Sequence, residues 1–333
     1  MDHVGELIER TAIDSGFSGA VRIDRGDGSV IARAFGMADR RHQIANTVDT
    51  QFAIASGTKG FTALAVMALV DDGVLQLDTT ARSVLADDLP LIAPDVTVEH
   101  LLSHRSGIGD YLDESALGDV GDYVMPVPVH RLACAEDYLA VLDGHPQVFA
   151  PGTDFAYCNG GYVVLALIAE RASAVPWPDL VRTRVCEPAG MTDTELLRSD
   201  DLPGRAATGY VMVGGAERSN VLHLPVVGVG DGGLSTTVAD IRRFWEALFA
   251  GRIVPTPRVD EMIRCRSDPL DGSARYGLGF WLDAHRCVPR LEGYDAGVSF
   301  RSWHDPATRS TCTIVSNTSE GAWPMCRALA DIV

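Results

Sequence analysis

Ser56 and Lys59 stand three residues apart in Ser56-Gly57-Thr58-Lys59, and Lys59 is the only lysine among the 28 Lys and Arg residues of this 333-residue chain. Arginine replaces lysine wherever a surface needs only positive charge. It cannot do so where the amine must lose its proton, because a guanidinium stays charged at physiological pH. The lone lysine therefore points to a site that uses a neutral amine. A serine hydroxyl is a poor nucleophile until a base takes its proton, and residues i and i+3 share a helix face. A helix beginning at Ser56 puts the hydroxyl beside the amine. Phe61, Ala63, Leu64 and Val66 follow in the same helix, and burial among them favours the neutral amine and lowers the lysine pKa. The helix N-terminus also leaves a backbone N–H near Ser56 that is suited to an oxyanion.

A second group is Tyr157-Cys158-Asn159, just after Pro151-Gly152 and before an apolar helix. Beside a lysine cation a buried tyrosine ionises more easily, and it can serve as base to Ser56 or as acid to a leaving group. Asn159 can donate to a substrate carbonyl and contact Lys59. The same residues also suit a plainer role, with Tyr157 in packing and Asn159 stopping a strand or capping the helix.

Periodicity and turn chemistry give the elements that would hold these groups. The spacing predicts a first helix over 3–14 and strands over 18–24 and 30–39, joined by Asp24-Arg25-Gly26-Asp27-Gly28. A long apolar helix spans 57–72 and ends at Gly73. Residues 85–220 read mostly as helix and loop, including a helix over 161–172. Strands return over 276–283, 298–304 and 310–316, before a closing helix from Ala322. Strands at both ends with helices between predict an α/β (α+β) fold, an antiparallel sheet flanked by helices with an all-helical second region. Residues 1–84 and 221–333 are expected to form a composite α/β domain around an insertion at 85–220, with the active site in the cleft between them.

Several classes are excluded. The net charge is −17 with no basic block, so no nucleic-acid partner is expected. The longest apolar runs, such as 61–70, are half a membrane span. The N-terminus, Met1-Asp2-His3-Val4-Gly5-Glu6-Leu7, has no basic or apolar region of a secretory signal. Seven cysteines without Cys-x-x-Cys spacing fit a reduced, cytoplasmic protein. Nine histidines show no ligand spacing, so neither metal nor cofactor is expected. Gly228-Val229-Gly230-Asp231-Gly232-Gly233 matches Gly-x-Gly-x-x-Gly but lacks its βαβ context. It reads instead as a loop leading into a capping box at Thr237-Val238-Ala239-Asp240. No Gly-x-Ser-x-Gly elbow occurs. His104 reads as a loop-fixing residue, and Cys158 as inert if buried. No heptad or apolar stripe sets an oligomeric state.

Ser56-Gly57-Thr58-Lys59 with Tyr157-Cys158-Asn159 resembles the serine β-lactamase and penicillin-binding-protein superfamily, in its class C β-lactamase-like branch with family VIII esterases and D-aminopeptidases. Leu101-Leu102-Ser103-His104-Arg105-Ser106-Gly107, Phe149-Ala150-Pro151-Gly152-Thr153, Gly232-Gly233-Leu234-Ser235-Thr236 and Tyr276-Gly277-Leu278-Gly279-Phe280 resemble the same branch, in order along nearly the whole chain. The resemblance implies that Ser56 attacks an ester, amide or lactam carbonyl, that Lys59 and Tyr157 pass the proton, and that water releases the acyl group. The third family motif usually reads Lys-Thr-Gly, or His-x-Gly in esterase-like members. Gly293-Tyr294-Asp295-Ala296-Gly297-Val298-Ser299-Phe300 fits its place, with Tyr294 where Lys or His is usual and Ala296 where Gly is usual. The same register gives the Gly297 N–H as second oxyanion donor. A register shift of one residue, or a purely structural strand, is the alternative. A tyrosine holds a substrate carboxylate far less well than a cation does, and Asp295 disfavours anionic substrates. The expected function is a serine hydrolase cleaving a small ester or amide, of carboxylesterase or D-amino-acid peptidase/amidase type. The alternatives are a β-lactamase acting on penicillins or cephalosporins and a lapsed homologue that binds a ligand or partner.

Overall fold

The computed structural model describes residues 3–114, 118, 120–268, 274–284 and 288–330. Its centre is a seven-stranded sheet in the order Ala274–Tyr276, Trp281–Asp283, Pro289–Asp295, Val298–Asp305, Ser310–Ser316, Gly19–Asp24, Val30–Phe35. Every neighbouring pair is antiparallel. The first strands of the chain thus join its last, with Gly19 opposite Ser316 and Asp24 opposite Thr311.

Alternation along each strand separates two cores. Val21, Ile23, Trp303, Cys312 and Ile314 face a smaller cluster built with the helices His3–Ser15 and Ala322–Leu329. Ala20, Leu291, Phe300 and Val315 point the other way, into the main core. Two helices in that core are apolar on every face. Thr58–Asp71 is buried from Thr58 through Leu69, and Asn159–Ser173 from Asn159 through Ala169. A helix apolar all round belongs inside a protein. Each of these helices carries a polar residue at its N-terminal end, Lys59 and Asn159, and packing brings the two together.

Some strand boundaries differ from the sequence expectation. The strand predicted over 30–39 breaks at Gly36, whose φ is +71°. Its second part, Met37–Asp39, leaves the sheet to pair with Ile44–Ala45. The strand predicted over 276–283 is a hairpin, Ala274–Tyr276 with Trp281–Asp283. Gly279 in its turn has φ +89°, and a Cβ there would lie 2.2 Å from that of Ala63. The predicted helix over 57–72 is a single 3-10 turn, Ala55–Gly57, followed by Thr58–Asp71. Residues 85–220 hold mainly short helices and loops around the long Asn159–Ser173 helix, together with a hairpin, Tyr210–Val213 with Ala216–Ser219. Among the described residues no helix is long and apolar enough to cross a membrane.

Candidate active site

The turn that carries Ser56 is held from three sides. Ala55 takes φ +44°, a conformation that costs an L-residue about 1–2 kcal/mol, immediately before Ser56. Thr58 Oγ1 donates to the Ala55 carbonyl (2.8 Å) and accepts from the Leu234 N–H (3.1 Å). From the sheet, Gly293 presses against the same turn. A Cβ at Gly293 would lie 2.0 Å from the Ile54 oxygen, so only glycine lets this strand come so close.

Lys59 is 2% exposed. Its Nζ lies 2.8 Å from Ser56 Oγ, 2.8 Å from Asn159 Oδ1 and 2.9 Å from the Asp231 carbonyl oxygen. Burial lowers its pKa, against the opposing charges of Asp231, Glu114, Asp110 and Asp295. The three partners fit the three N–H groups of an ammonium and equally a neutral amine, the form that burial favours. In the neutral form two N–H groups would serve the two carbonyl oxygens and leave the lone pair for the serine hydroxyl.

Tyr157 and Ser56 line one cavity, and the Ser56 hydroxyl acts on the Tyr157 phenol. Lys59 Nζ is 4.9 Å from the centre of its ring, and Trp281 stacks on the ring at 5.8 Å and 14°. The expected easier ionisation is reversed. Burial first, then the charge of Glu114 and the neighbouring Tyr276, push the phenol well above its ordinary pKa, although the Ser56 hydroxyl opposes them. Desolvation of a phenolate dominates here, and Tyr157 is a protonated phenol at neutral pH.

Asn159 caps the site from the head of its helix. Its Oδ1 accepts from Lys59, while Nδ2 donates to the Leu112 carbonyl (3.0 Å) and to Glu114 Oε1 (2.9 Å). Both amide donors are thereby engaged. The expected donation to a substrate carbonyl gives way to a role in orienting Lys59 and Glu114. Asp110 accepts from the Asn159 and Gly160 N–H groups (2.6 and 2.8 Å), and its pKa rises to about 6, mainly through burial.

The third motif departs from expectation at two residues. Leu291 and Gly293 face the helix and turn that carry Ser56 and Lys59, while Tyr294, the next residue along the strand, lines both cavities that open beside Ser56. Its hydroxyl donates to Glu320 (2.8 Å), and its ring lies 6.0 Å from Trp323. Asp295 also lines the cleft. It acts on Lys59 and Asp231, and its pKa rises to about 7, chiefly through burial. The Gly297 N–H is not available to an oxyanion, because it donates to Ser319 Oγ (2.8 Å) in a turn where Gly297 has φ +74°.

Two cavities meet at Ser56, Glu114 and Tyr294. One, of about 620 Å³, carries Asp231 and Asp295 beside Tyr111, Tyr123 and Tyr138. The other, of about 600 Å³, is walled by Ile108, Phe155, Tyr157 and Trp281. Tyr111 donates to Asp231 Oδ2 at 2.5 Å. Sequence reasoning did not find Glu114, Trp281 or the Asp231 carbonyl. Asp231 sits in the glycine-rich loop at 228–233, which packs between the two buried helices: a Cβ at Gly230 would lie 2.1 Å from the Tyr162 oxygen of Asn159–Ser173, and Thr62 Oγ1 of Thr58–Asp71 donates to the Gly230 carbonyl. Among the described residues there is no group of three or more His, Cys, Asp or Glu arranged to hold a metal ion.

This architecture has known counterparts. The family profile described as Beta-lactamase matches residues 4–332. A penicillin binding protein from Bacillus halodurans superposes with a TM-score of 0.91 at 32% identity, covering 98% of this chain and 100% of that one. Esterase EstB of Burkholderia gladioli is 36% identical over 208 residues, 58% of this chain and 50% of its own length. A D-aminopeptidase of Brucella anthropi is 29% identical over 323 residues, 92% of this chain and 57% of its own. The chain spans 50% to 62% of the length of these and similar curated relatives.

Proposed function

The chain belongs to the Beta-lactamase family, and on that premise we propose that it is a serine hydrolase cleaving a small ester or amide through an acyl-Ser56 intermediate. The observation that carries this reading is the buried Lys59 Nζ at 2.8 Å from Ser56 Oγ, with its two other neighbours both carbonyl oxygens. As Ser56 Oγ bonds to the substrate carbonyl carbon, its proton passes to the Lys59 lone pair. The carbonyl oxygen becomes an oxyanion beside the N–H groups at the start of the Ser56 turn. Tyr157, held protonated by its surroundings, gives its proton to the leaving nitrogen or oxygen as that bond breaks. The Lys59 ammonium, which lies over the Tyr157 ring, then returns a proton to the phenolate, so that both residues regain their starting forms. In the second half the roles reverse: water loses a proton to the Lys59–Tyr157 pair, attacks the acyl carbon, and Ser56 leaves with a proton.

Asp295, Asp231 and Glu114 surround Lys59 with negative charge, which favours neutral or amine-bearing substrates over carboxylates. This matches an esterase and a D-aminopeptidase among the relatives better than it matches the hydrolysis of penicillins. The intact contacts of Ser56, Lys59 and Tyr157 speak against a lapsed homologue. We place the protein in the reducing cytoplasm, because the six described cysteines are all unpaired; fractionation that recovers it outside that compartment would overturn the assignment. The test of function is the initial rate on p-nitrophenyl butyrate, wild type beside Ser56→Ala. Turnover lost in the mutant supports the mechanism, and equal turnover in both sinks it.

A further inference from the structure

The segment that carries Tyr157 runs along the loop 104–107. Val148 and Gly152 donate their N–H groups to Gly107 and Arg105, and Ala156 donates to the His104 carbonyl at 3.0 Å. The Cys158 N–H donates to His104 Nδ1 at 3.1 Å. One residue thus holds the backbone on both sides of Tyr157. The His104 ring also lies 4.4 Å from the ring of Tyr157, and 4.6 and 5.0 Å from those of Tyr276 and Tyr162.

His104 is 1% exposed and has φ +56°, a conformation that side chains other than Asn, Asp and His seldom take. Because Nδ1 accepts from Cys158, the proton of the neutral ring is on Nε2. That Nε2 is buried with no hydrogen-bond partner among the described residues. Burial first, then the charge of Lys59, hold the ring well below its ordinary pKa, so the acceptor at Nδ1 persists across the working pH range. A side chain kept here for packing alone would not need a ring nitrogen aimed at the Cys158 N–H. A phenyl ring would fill the same space and remove the unpaired Nε2, but it would leave the Cys158 N–H without its acceptor.

We propose that His104 is a positioning residue that fixes the Tyr157 hydroxyl on Ser56 and so sets the rate of proton transfer without touching substrate. This rests on the acyl-Ser56 reading above. The geometry gives it two separable parts, an acceptor for the Cys158 N–H and a flat ring under Tyr157. His104→Asn keeps an acceptor at the Nδ1 position and tolerates the backbone angle. His104→Phe keeps the ring and loses the acceptor.

The experiment measures kcat and KM on p-nitrophenyl butyrate for His104→Asn and His104→Phe, each in the wild-type and Tyr157→Phe backgrounds, with melting temperatures alongside. Misplacement of a reacting group by about 1 Å can lower rate about 100-fold, so His104→Phe should lower kcat at least about tenfold while KM changes less than about threefold. His104→Asn should recover most of that loss. In the Tyr157→Phe background the same His104 substitution should change the residual rate less than about twofold, because its effect acts through the missing hydroxyl. If His104→Phe does not fold, His104→Gly, which accepts φ +56°, is read in the same cycle. Equal losses in both backgrounds, or wild-type kcat in a folded variant lacking the acceptor, overturn the proposal while leaving the acyl-Ser56 mechanism standing. Wild-type rates in Ser56→Ala or Tyr157→Phe overturn that mechanism instead.

Discussion

Replacing Lys59 by arginine separates the charge of this residue from its basicity. Lys59 is buried, and its three polar neighbours lie at 2.8–2.9 Å. Arginine keeps a cation in the same place, so an electrostatic role for Lys59 would survive in part. A base role would not. A guanidinium with a pKa of roughly 12.5 must be deprotonated to accept the Ser56 proton, which at pH 7.5 costs about 7 kcal/mol at 1.36 kcal/mol per unit. No rate persists by that route. The remaining turnover comes from binding and the oxyanion donors alone, and the loss should reach the roughly 10²–10⁴ ascribed to a positioned base. Five guanidinium donors also meet only three acceptors here, so some stability is lost too. The assay is kcat/KM on p-nitrophenyl butyrate, with the fold checked by circular dichroism and melting temperature. A folded Lys59→Arg protein within about threefold of wild type would refute the reasoning, because it would mean that the Ser56 proton leaves by another path.

Asp295→Asn removes one carboxylate from the cleft. A carboxylate roughly 8 Å from a substrate ammonium contributes about 2 kcal/mol at an effective dielectric of about 20, so the preference for an amino-acid ester over its uncharged analogue should fall by about tenfold or more at pH 8.5; an unchanged ratio would place the substrate amine elsewhere. The same residue makes stability depend on pH. Its folded pKa, about 7, lies above the ordinary 3.8. The unfolded chain therefore binds fewer protons between those values, and stability falls as pH rises from about 4 to 7, by at most about 4 kcal/mol. Melting curves at pH 5 and 8 should show Asp295→Asn flattening this decline, and identical slopes would contradict it. Gly293→Ala puts a Cβ 2.0 Å from the Ile54 oxygen, and overpacking of this kind costs about 1–3 kcal/mol or more. Both melting temperature and kcat should drop, and a neutral result would show that the strand can withdraw from the nucleophile's turn without consequence.

Ser56 and Lys59 were legible because helix spacing is local and because a chain that otherwise uses arginine keeps one lysine. The buried helices were legible from their apolar runs, and most sheet strands from alternation. What sequence did not reveal has common physical causes. Asp231 meets Lys59 through its backbone carbonyl across 172 residues, and a carbonyl acceptor leaves no side-chain signature. Glu114 lines the cavities at Ser56 and bonds Asn159, 45 residues away, a placement no local spacing shows. Motif register assigned Tyr294 to the cleft, whose cavities it lines, but its hydroxyl is taken by Glu320, 26 residues away, which no local pattern shows. Gly297 carried the motif glycine into a hairpin turn, where Ser319 takes its N–H. The pKa of Tyr157 was misread because proximity to a cation is visible in sequence, whereas the depth of burial that outweighs it is a property of the fold.

The most direct measurement is intact-protein mass spectrometry within seconds of mixing the enzyme with p-nitrophenyl pivalate, whose bulky acyl group slows release, followed by peptide mapping. The account predicts one added pivaloyl group, located on Ser56, absent from Ser56→Ala and slow to form in Lys59→Arg. Nitrophenol release with no adduct, or an adduct on any other residue, would contradict it.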